Sequence, residues 1–234
     1  MNKPVLGILG GVGPLATAYF MELIINKTPA RRDQDHIPMI VYNDPQIPDR
    51  TAYILDKSRE NPCPEMVKVA GWLERAGADF IAIPCNTAHY FYDAINEAVA
   101  VPVLNIMEET AHAVMKAVGQ GATIGLLATE GTVSSGVFQS FFEKSGLTTL
   151  TPDPKNQQKL MELIYDGVKT SHPYNPQDFC DIAERLHNAG CAAVVVGCTE
   201  LSVIYQDLAD KPPYLVDSLD VLAQTCVRYY ADHQ

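Results

Sequence analysis

Apolar residues in this chain gather in two kinds of stretch. Short, branched, uncharged runs at residues 5–9, 39–42, 80–83, 101–105, 123–128, 192–196 and 214–216 predict buried strands. Longer segments with apolar positions three or four apart, at 15–26, 65–76, 138–144, 157–168 and 177–189, predict helices. The two kinds alternate, so the expected fold is α/β, with mainly parallel sheets flanked by helices. No low-complexity stretch or linker interrupts the alternation.

Laid against itself, the chain repeats. Leu73-Glu-Arg-Ala-Gly-Ala-Asp-Phe-Ile-Ala-Ile-Pro-Cys85-Asn-Thr87 aligns without a gap with Leu186-His-Asn-Ala-Gly-Cys-Ala-Ala-Val-Val-Val-Gly-Cys198-Thr-Glu200. Each copy reads as a helix end, a glycine stop, a buried strand and a cysteine at the strand's carboxyl edge. Upstream, Gly7-Ile-Leu-Gly-Gly-Val-Gly13 corresponds to Gly125-Leu-Leu-Ala-Thr-Glu-Gly131. The repeat predicts two similar, pseudo-twofold-related α/β halves, residues 1–107 and 108–216, with a last helix at 217–234 returning to the first half. Ligands in such sheets bind beyond the carboxyl ends of the strands, so both cysteines are expected in one cleft between the halves.

Composition narrows the partners. The chain has 234 residues, 47% hydrophobic and 19% charged, with a net charge of −11 and a pI of about 4.9. An acidic surface argues against nucleic acid and anionic membranes, which need a basic face. No stretch approaches a membrane span of about 18 apolar residues. The apolar start at residues 4–9 is broken by glycines at 10, 11 and 13, unlike a secretory leader. Six cysteines occur without a C-x-x-C pair, so neither a zinc site nor a thioredoxin-like motif is signalled. Free thiols in a reducing cytoplasm are expected. Cys63, Cys180, Cys191 and Cys226 lack the strand-end setting and read as structural.

A pair of like residues across a cleft suits one kind of chemistry. Inverting a stereocentre by proton transfer needs an acid–base group on each face of one carbon. A free thiol titrates near ~8.5, and Asn86 and Thr87 suit a helix start whose dipole lowers that value. Coupled thiols lose one proton before both, giving the thiol–thiolate pair that racemisation requires. Cys85 and Cys198 are therefore the candidate bases.

Gly10-Gly-Val-Gly-Pro14, Asn43-Asp-Pro-Gln-Ile-Pro-Asp-Arg-Thr51, Pro84-Cys-Asn-Thr-Ala-His89 and Gly197-Cys-Thr-Glu200 resemble motifs of the cofactor-independent aspartate/glutamate racemase family. The resemblance covers essentially the whole chain and is nearest the aspartate racemase branch. It implies that Cys85 and Cys198 are the bases, that neither pyridoxal phosphate nor a metal is used, and that the enzyme is a homodimer acting on an acidic amino acid. Interconversion of L- and D-aspartate is expected, with glutamate as the alternative. Glutamate racemases carry Asp-Ser-Gly near the start and Gly-Cys-Thr-His later, where this chain has Gly10-Gly11 and Glu200.

The remaining candidates bind substrate. Arg50, in a proline-framed loop, offers a planar fork to a carboxylate. Lys169 matches a family lysine near the site, although by sequence alone it is a helix-end lysine. Asn86, Thr87 and Thr199 begin the helices after the cysteines and offer N–H groups to the α-carboxylate. Thr132 resembles a family ligand, and Glu200 is placed to orient the ammonium.

Other classes compete. Gly11-Val-Gly13-Pro-Leu-Ala16 fits the dinucleotide-binding pattern, but no acidic residue follows at a strand end about 20 residues later. Cys85 with His89 suggests a cysteine hydrolase, which leaves Cys198 unexplained. A binding protein for acidic amino acids is the third.

Overall fold

The computed structural model describes residues 3–234. Its first sheet is built from β1 (Leu6–Gly10), β2 (Met39–Asn43), β3 (Phe80–Ala82) and β4 (Val103–Leu104) in the order β2-β1-β3-β4, all parallel. The second, from β5 (Thr123–Leu127), β6 (Thr148–Leu150), β7 (Ala193–Val196) and β8 (Leu215–Asp217), has the matching order β6-β5-β7-β8 and is also parallel. The α/β architecture with two like halves, expected from the repeat, is thus present.

Helices alternate with these strands: α1 (Pro14–Lys27), α2 (Arg50–Leu55), α3 (Cys63–Arg75), α4 (Tyr92–Glu97) and α5 (Ile106–Val118) follow the first sheet's strands. Then come α6 (Glu130–Ser135), α7 (Val137–Lys144), α8 (Pro154–Glu162), α9 (Pro176–Asn188), α10 (Thr199–Gln206) and α11 (Ser218–Asp232).

Strand residues alternate between a shared interior and an outer core on each half. Leu6, Ile8, Phe80 and Ala82 share a buried cluster with Ile124, Leu126, Ala193 and Val195 of the other sheet, filled by α1, α5, α7 and α11. The opposite faces carry Leu9, Ile81 and Ile83 onto α3, and Leu127, Val194 and Val196 onto α8, α9 and α10. Burial on both faces explains why the strands read as unbroken apolar runs. The last helix, α11, packs on α1 and α5, joining both halves through one interior.

The repeated helix ends are alike in detail. Gly77 and Gly190 both have φ of 100°, a conformation that favours glycine. The following N–H groups, of Ala78 and Cys191, donate back to Leu73 O and Leu186 O at 3.0 and 3.2 Å.

Three expectations need correction. Strand β6 was not foreseen, because Thr148 and Leu150 on this edge strand are exposed and leave no apolar run to read. The predicted strand at 101–105 shortens to Val103–Leu104, since Pro102 breaks its start and Asn105 caps α5 by accepting from the Met107 N–H at 2.9 Å. The predicted helix at 157–168 ends as α8 at Glu162 and continues as a π-turn, Leu163–Gly167, then a 3-10 turn, Val168–Thr170.

Candidate active site

Strands β3 and β7 end at the same edge and deliver the cysteines. Beyond β3, the Cys85 N–H donates to Ile83 O at 2.7 Å, and a 3-10 turn, Thr87–Phe91, follows. Beyond β7, Cys198 is the extended residue that starts α10. Both thiols are buried, at 6% and 3% exposure.

His89 fixes the first of these turns. Its Nδ1 lies 2.8 Å from the Cys85 carbonyl and so donates, while Nε2 accepts the Ile106 N–H at 3.2 Å. Burial pulls its pKa down to about 4, keeping the ring neutral. Both ring nitrogens are thereby committed to backbone partners, leaving none to act as base on the Cys85 thiol. The hydrolase reading fails on that geometry.

Around Cys85 is a tight pocket with only about 10 Å³ of open space, which Arg50, Thr87, Lys169 and Glu200 also line. Arg50 is the first residue of α2 rather than part of a loop, because Asp49 caps that helix by accepting the Ala52 N–H at 2.8 Å. The guanidinium is 7% exposed; Nη1 donates to Ile47 O and Pro48 O at 3.2 and 3.0 Å, and Nε is buried without a partner among the described residues. That fork is held in place with donor capacity to spare, as carboxylate binding requires.

Lys169 arrives from the other half, through the π-turn and 3-10 turn after α8. Its Nζ lies 3.3 Å from Asp49 Oδ2, 4.0 Å from Glu200 Oε1 and 3.8 Å above the Tyr165 ring. Tyr165 Oη donates to the Asp49 carboxylate, 3.1 Å from either oxygen. A π-turn inserts one residue into a helix turn and is frequent at functional sites.

Hydroxyls join the halves on another wall. Thr87 Oγ1 lies 3.0 Å from Thr129 Oγ1 and 2.9 Å from Thr132 Oγ1, while Thr51 Oγ1 donates to Thr129 Oγ1 at 3.2 Å. Thr132 therefore supports Thr87 rather than lining the pocket. Asn86 turns its Nδ2 to Ser218 Oγ at 2.9 Å, leaving Oδ1 buried without a partner among the described residues, as is Thr199 Oγ1. Cys198 donates its thiol hydrogen to Glu200 Oε2 at 3.1 Å and meets the pocket through that carboxylate. Asp49, Thr51, Thr129 and Tyr165 also line the pocket and were missed in the sequence. Thr129 had a readable signal: it stands at the end of β5 where the repeat places Gly11.

The thiols do not sit low, contrary to the helix-start expectation. Burial pushes Cys85 up, opposed by Arg50 and assisted by Glu200. Cys198 is pushed well above the ordinary thiol range by burial and then by Glu200. Desolvation of a thiolate outweighs the partial charge of one helix turn. Asp49 is held below the usual carboxylate range: burial opposes this, but Lys169, the Ala52 N–H and Arg50 prevail.

The glycine loop after β1 serves close packing. A Cβ on Gly11 would sit 2.2 Å from the Asp44 backbone, and one on Gly13 would sit 2.8 Å from Glu200 Oε1. A carboxylate against that loop repels a pyrophosphate, so the dinucleotide reading loses its anion site. Among the described residues no cluster of three or more His, Cys, Asp or Glu is placed to hold a metal. No helix among them is long and apolar enough to cross a membrane.

This fold has counterparts among known proteins. The family model for Asp/Glu/hydantoin racemase matches residues 9–226. The broad specificity amino-acid racemase RacX of Bacillus subtilis is 30% identical over 241 aligned positions, covering 98% of this chain and 99% of that protein. A Picrophilus torridus aspartate racemase superposes with a TM-score of 0.82 at 29% identity, covering 97% of this chain and 94% of the other. Glutamate racemase isoform RacE1 from Bacillus anthracis shares the fold, with a TM-score of 0.67 at 18% identity over 99% of this chain and 82% of the other. The chain belongs to the Asp/Glu/hydantoin racemase family, and is a racemase, an isomerase.

Proposed function

We propose that this racemase interconverts L- and D-aspartate by proton transfer between Cys85 and Cys198, with no cofactor. The observation that carries the reading is a cysteine just past each of two equivalent strands, Cys85 in a pocket shared with Arg50, Lys169 and Glu200, and Cys198 bonded to that same Glu200. One cysteine, as thiolate, takes the α-proton: the Cα–H bond breaks, an S–H bond forms, and the electron pair stays on carbon. The other cysteine then gives its thiol proton to the opposite face and is left as the thiolate. Arg50 and Lys169 hold the carboxylates, which also delocalise the carbanion charge. Asn86 Oδ1 and Glu200 accept from the ammonium. A homodimer goes with this reading, as the resemblance implies, and a reducing cytoplasm goes with its free thiols.

Aspartate is favoured over larger acids by the likeness to the Picrophilus enzyme. A wider range is the second reading, favoured by the likeness to RacX across nearly the whole chain. The test is chiral chromatography after incubating reduced, chelator-dialysed protein with L-aspartate, L-glutamate and a panel of neutral and basic L-amino acids. D-aspartate should form fastest. Formation of no D-amino acid, or activity only after adding pyridoxal phosphate or a metal, would overturn the proposal.

A further inference from the structure

A second cavity lies against the first. An open groove of about 530 Å³ is lined by Ala52, Gln158, Met161, Glu162 and Asp166, and it shares Asp49, Thr51 and Tyr165 with the thiol-bearing pocket. Those three side chains are the partition between the two spaces. Thr51 is small and tied to Thr129 at 3.2 Å, and Asp49 is spent on capping α2. The bulk of the partition is therefore the Tyr165 ring. Its position is set firmly, since Leu163, Ile164 and Val168 on the same turn are buried in the outer core of the second half. At its far end, Oη is anchored to both Asp49 oxygens.

We infer that Tyr165 sets the upper size limit of the substrate side chain, and that the groove behind it accepts a longer apolar or cationic side chain once the ring is shortened. The sign of the selectivity comes from the lining. Met161 and Ala52 suit a methylene stem, while Glu162 and Asp166 bring carboxylates beyond Asp49, which Lys169 already pairs, and no cation lines the groove. A side chain entering from the thiol pocket meets negative charge, which repels glutamate and attracts an ammonium. The π-turn is what aims Tyr165 at the partition, because regular α-helix would turn that position elsewhere.

This inference rests on the aspartate racemase reading, and its test separates the two. Parent, Tyr165→Ala, Tyr165→Leu and Tyr165→Phe are compared for kcat/KM on aspartate, glutamate, methionine and lysine. The Ala and Leu variants should raise lysine and methionine relative to aspartate by roughly tenfold or more, the scale set by added side-chain volume in a pocket. Glutamate should not rise with them. Tyr165→Phe keeps the ring and should keep the parent's substrate order. Failure of the parent to racemise aspartate would count against the functional reading. Given an active parent, the inference is overturned if neither shortened variant changes the order, if glutamate gains as much as methionine, or if both lose every substrate alike.

Discussion

Cys85 and Cys198 leave equivalent strands at the same point of the repeat, and then meet opposite charges. Beside Cys85 stands the Arg50 guanidinium, which favours the thiolate. Cys198 instead donates to Glu200, whose carboxylate disfavours the thiolate. The repeated scaffold delivers the thiols, and unrepeated neighbours make Cys85 the first to ionise. Anchoring differs in the same way. Four residues past Cys85, His89 ties the turn to the Ile106 N–H after β4; four past Cys198, Ser202 donates at 2.6 Å to Oδ1 of Asp217, the last residue of β8. Asn105 and Asp217, which the strand registers make equivalent, cap α5 and α11 in turn. Twofold architecture therefore does not imply twofold electrostatics.

The largest effect should come from removing either thiol. Cys85→Ser and Cys198→Ser should each reduce racemisation by about 10²- to 10⁴-fold, since a serine hydroxyl is too weak an acid to replace a positioned base. The equilibrium constant is one, so kcat/KM falls equally in both directions, and the informative readout is exchange in deuterated water. Each variant should exchange the α-hydrogen of one enantiomer, and the two variants should differ in which. The same handedness in both would place the cysteines on one face of the carbon.

The two anchors should make the halves sensitive to opposite ends of the pH scale. Burial raises the Asp217 carboxyl from 3.8 to about 7, and its Oδ2 is buried without a partner among the described residues. A raised carboxyl contributes stability below 3.8 that is lost as pH rises through about 7. Asp217→Asn mimics the protonated group and keeps a helix cap. Its unfolding free energy relative to the parent should therefore rise by up to about 4 kcal/mol between pH 4 and 8, read by urea unfolding. His89 behaves in the reverse sense: its contribution is present above 6.5 and lost as pH falls toward about 4. A pH-independent difference between the Asn variant and the parent would show that Asp217 is ionised throughout.

Arg50→Lys should cost roughly ten- to hundredfold in kcat/KM, because the charge remains while the fork and its bonds to Ile47 O and Pro48 O are lost. A variant within twofold of the parent would remove Arg50 from substrate binding.

Glu200→Gln sharpens the comparison most gently. With the carboxylate gone, Cys198 loses a charge that raises it, so the rise of kcat/KM with pH should begin at lower pH than in the parent. The profile belongs to the coupled thiols rather than to one. An unmoved or upward-shifted profile would mean that Glu200 does not govern the pair.

Read from residues alone, the chain yields the strand–helix alternation, the internal repeat and the strand-end place of both cysteines. Those features rest on local periodicity and on glycines whose backbone needs are local. Arg50, Lys169 and Glu200 were legible through motifs, and the structure brings them to one pocket. Several features were not legible. Strand β6 has no apolar run, because an exposed edge strand needs none. Tyr165 joins the site through a π-turn, whose extra residue defeats any count by helical period. Thr129 and Asp49 matter through partners more than 30 residues away in sequence, Thr87 and Tyr165. The pKa values of the thiols also lay beyond sequence, since burial is a property of the packed interior and here it outweighs the helix start. Local order in the chain determined the scaffold and its two thiols; only tertiary packing, within each half and between them, decided their charges, because desolvation and Coulomb forces act through space.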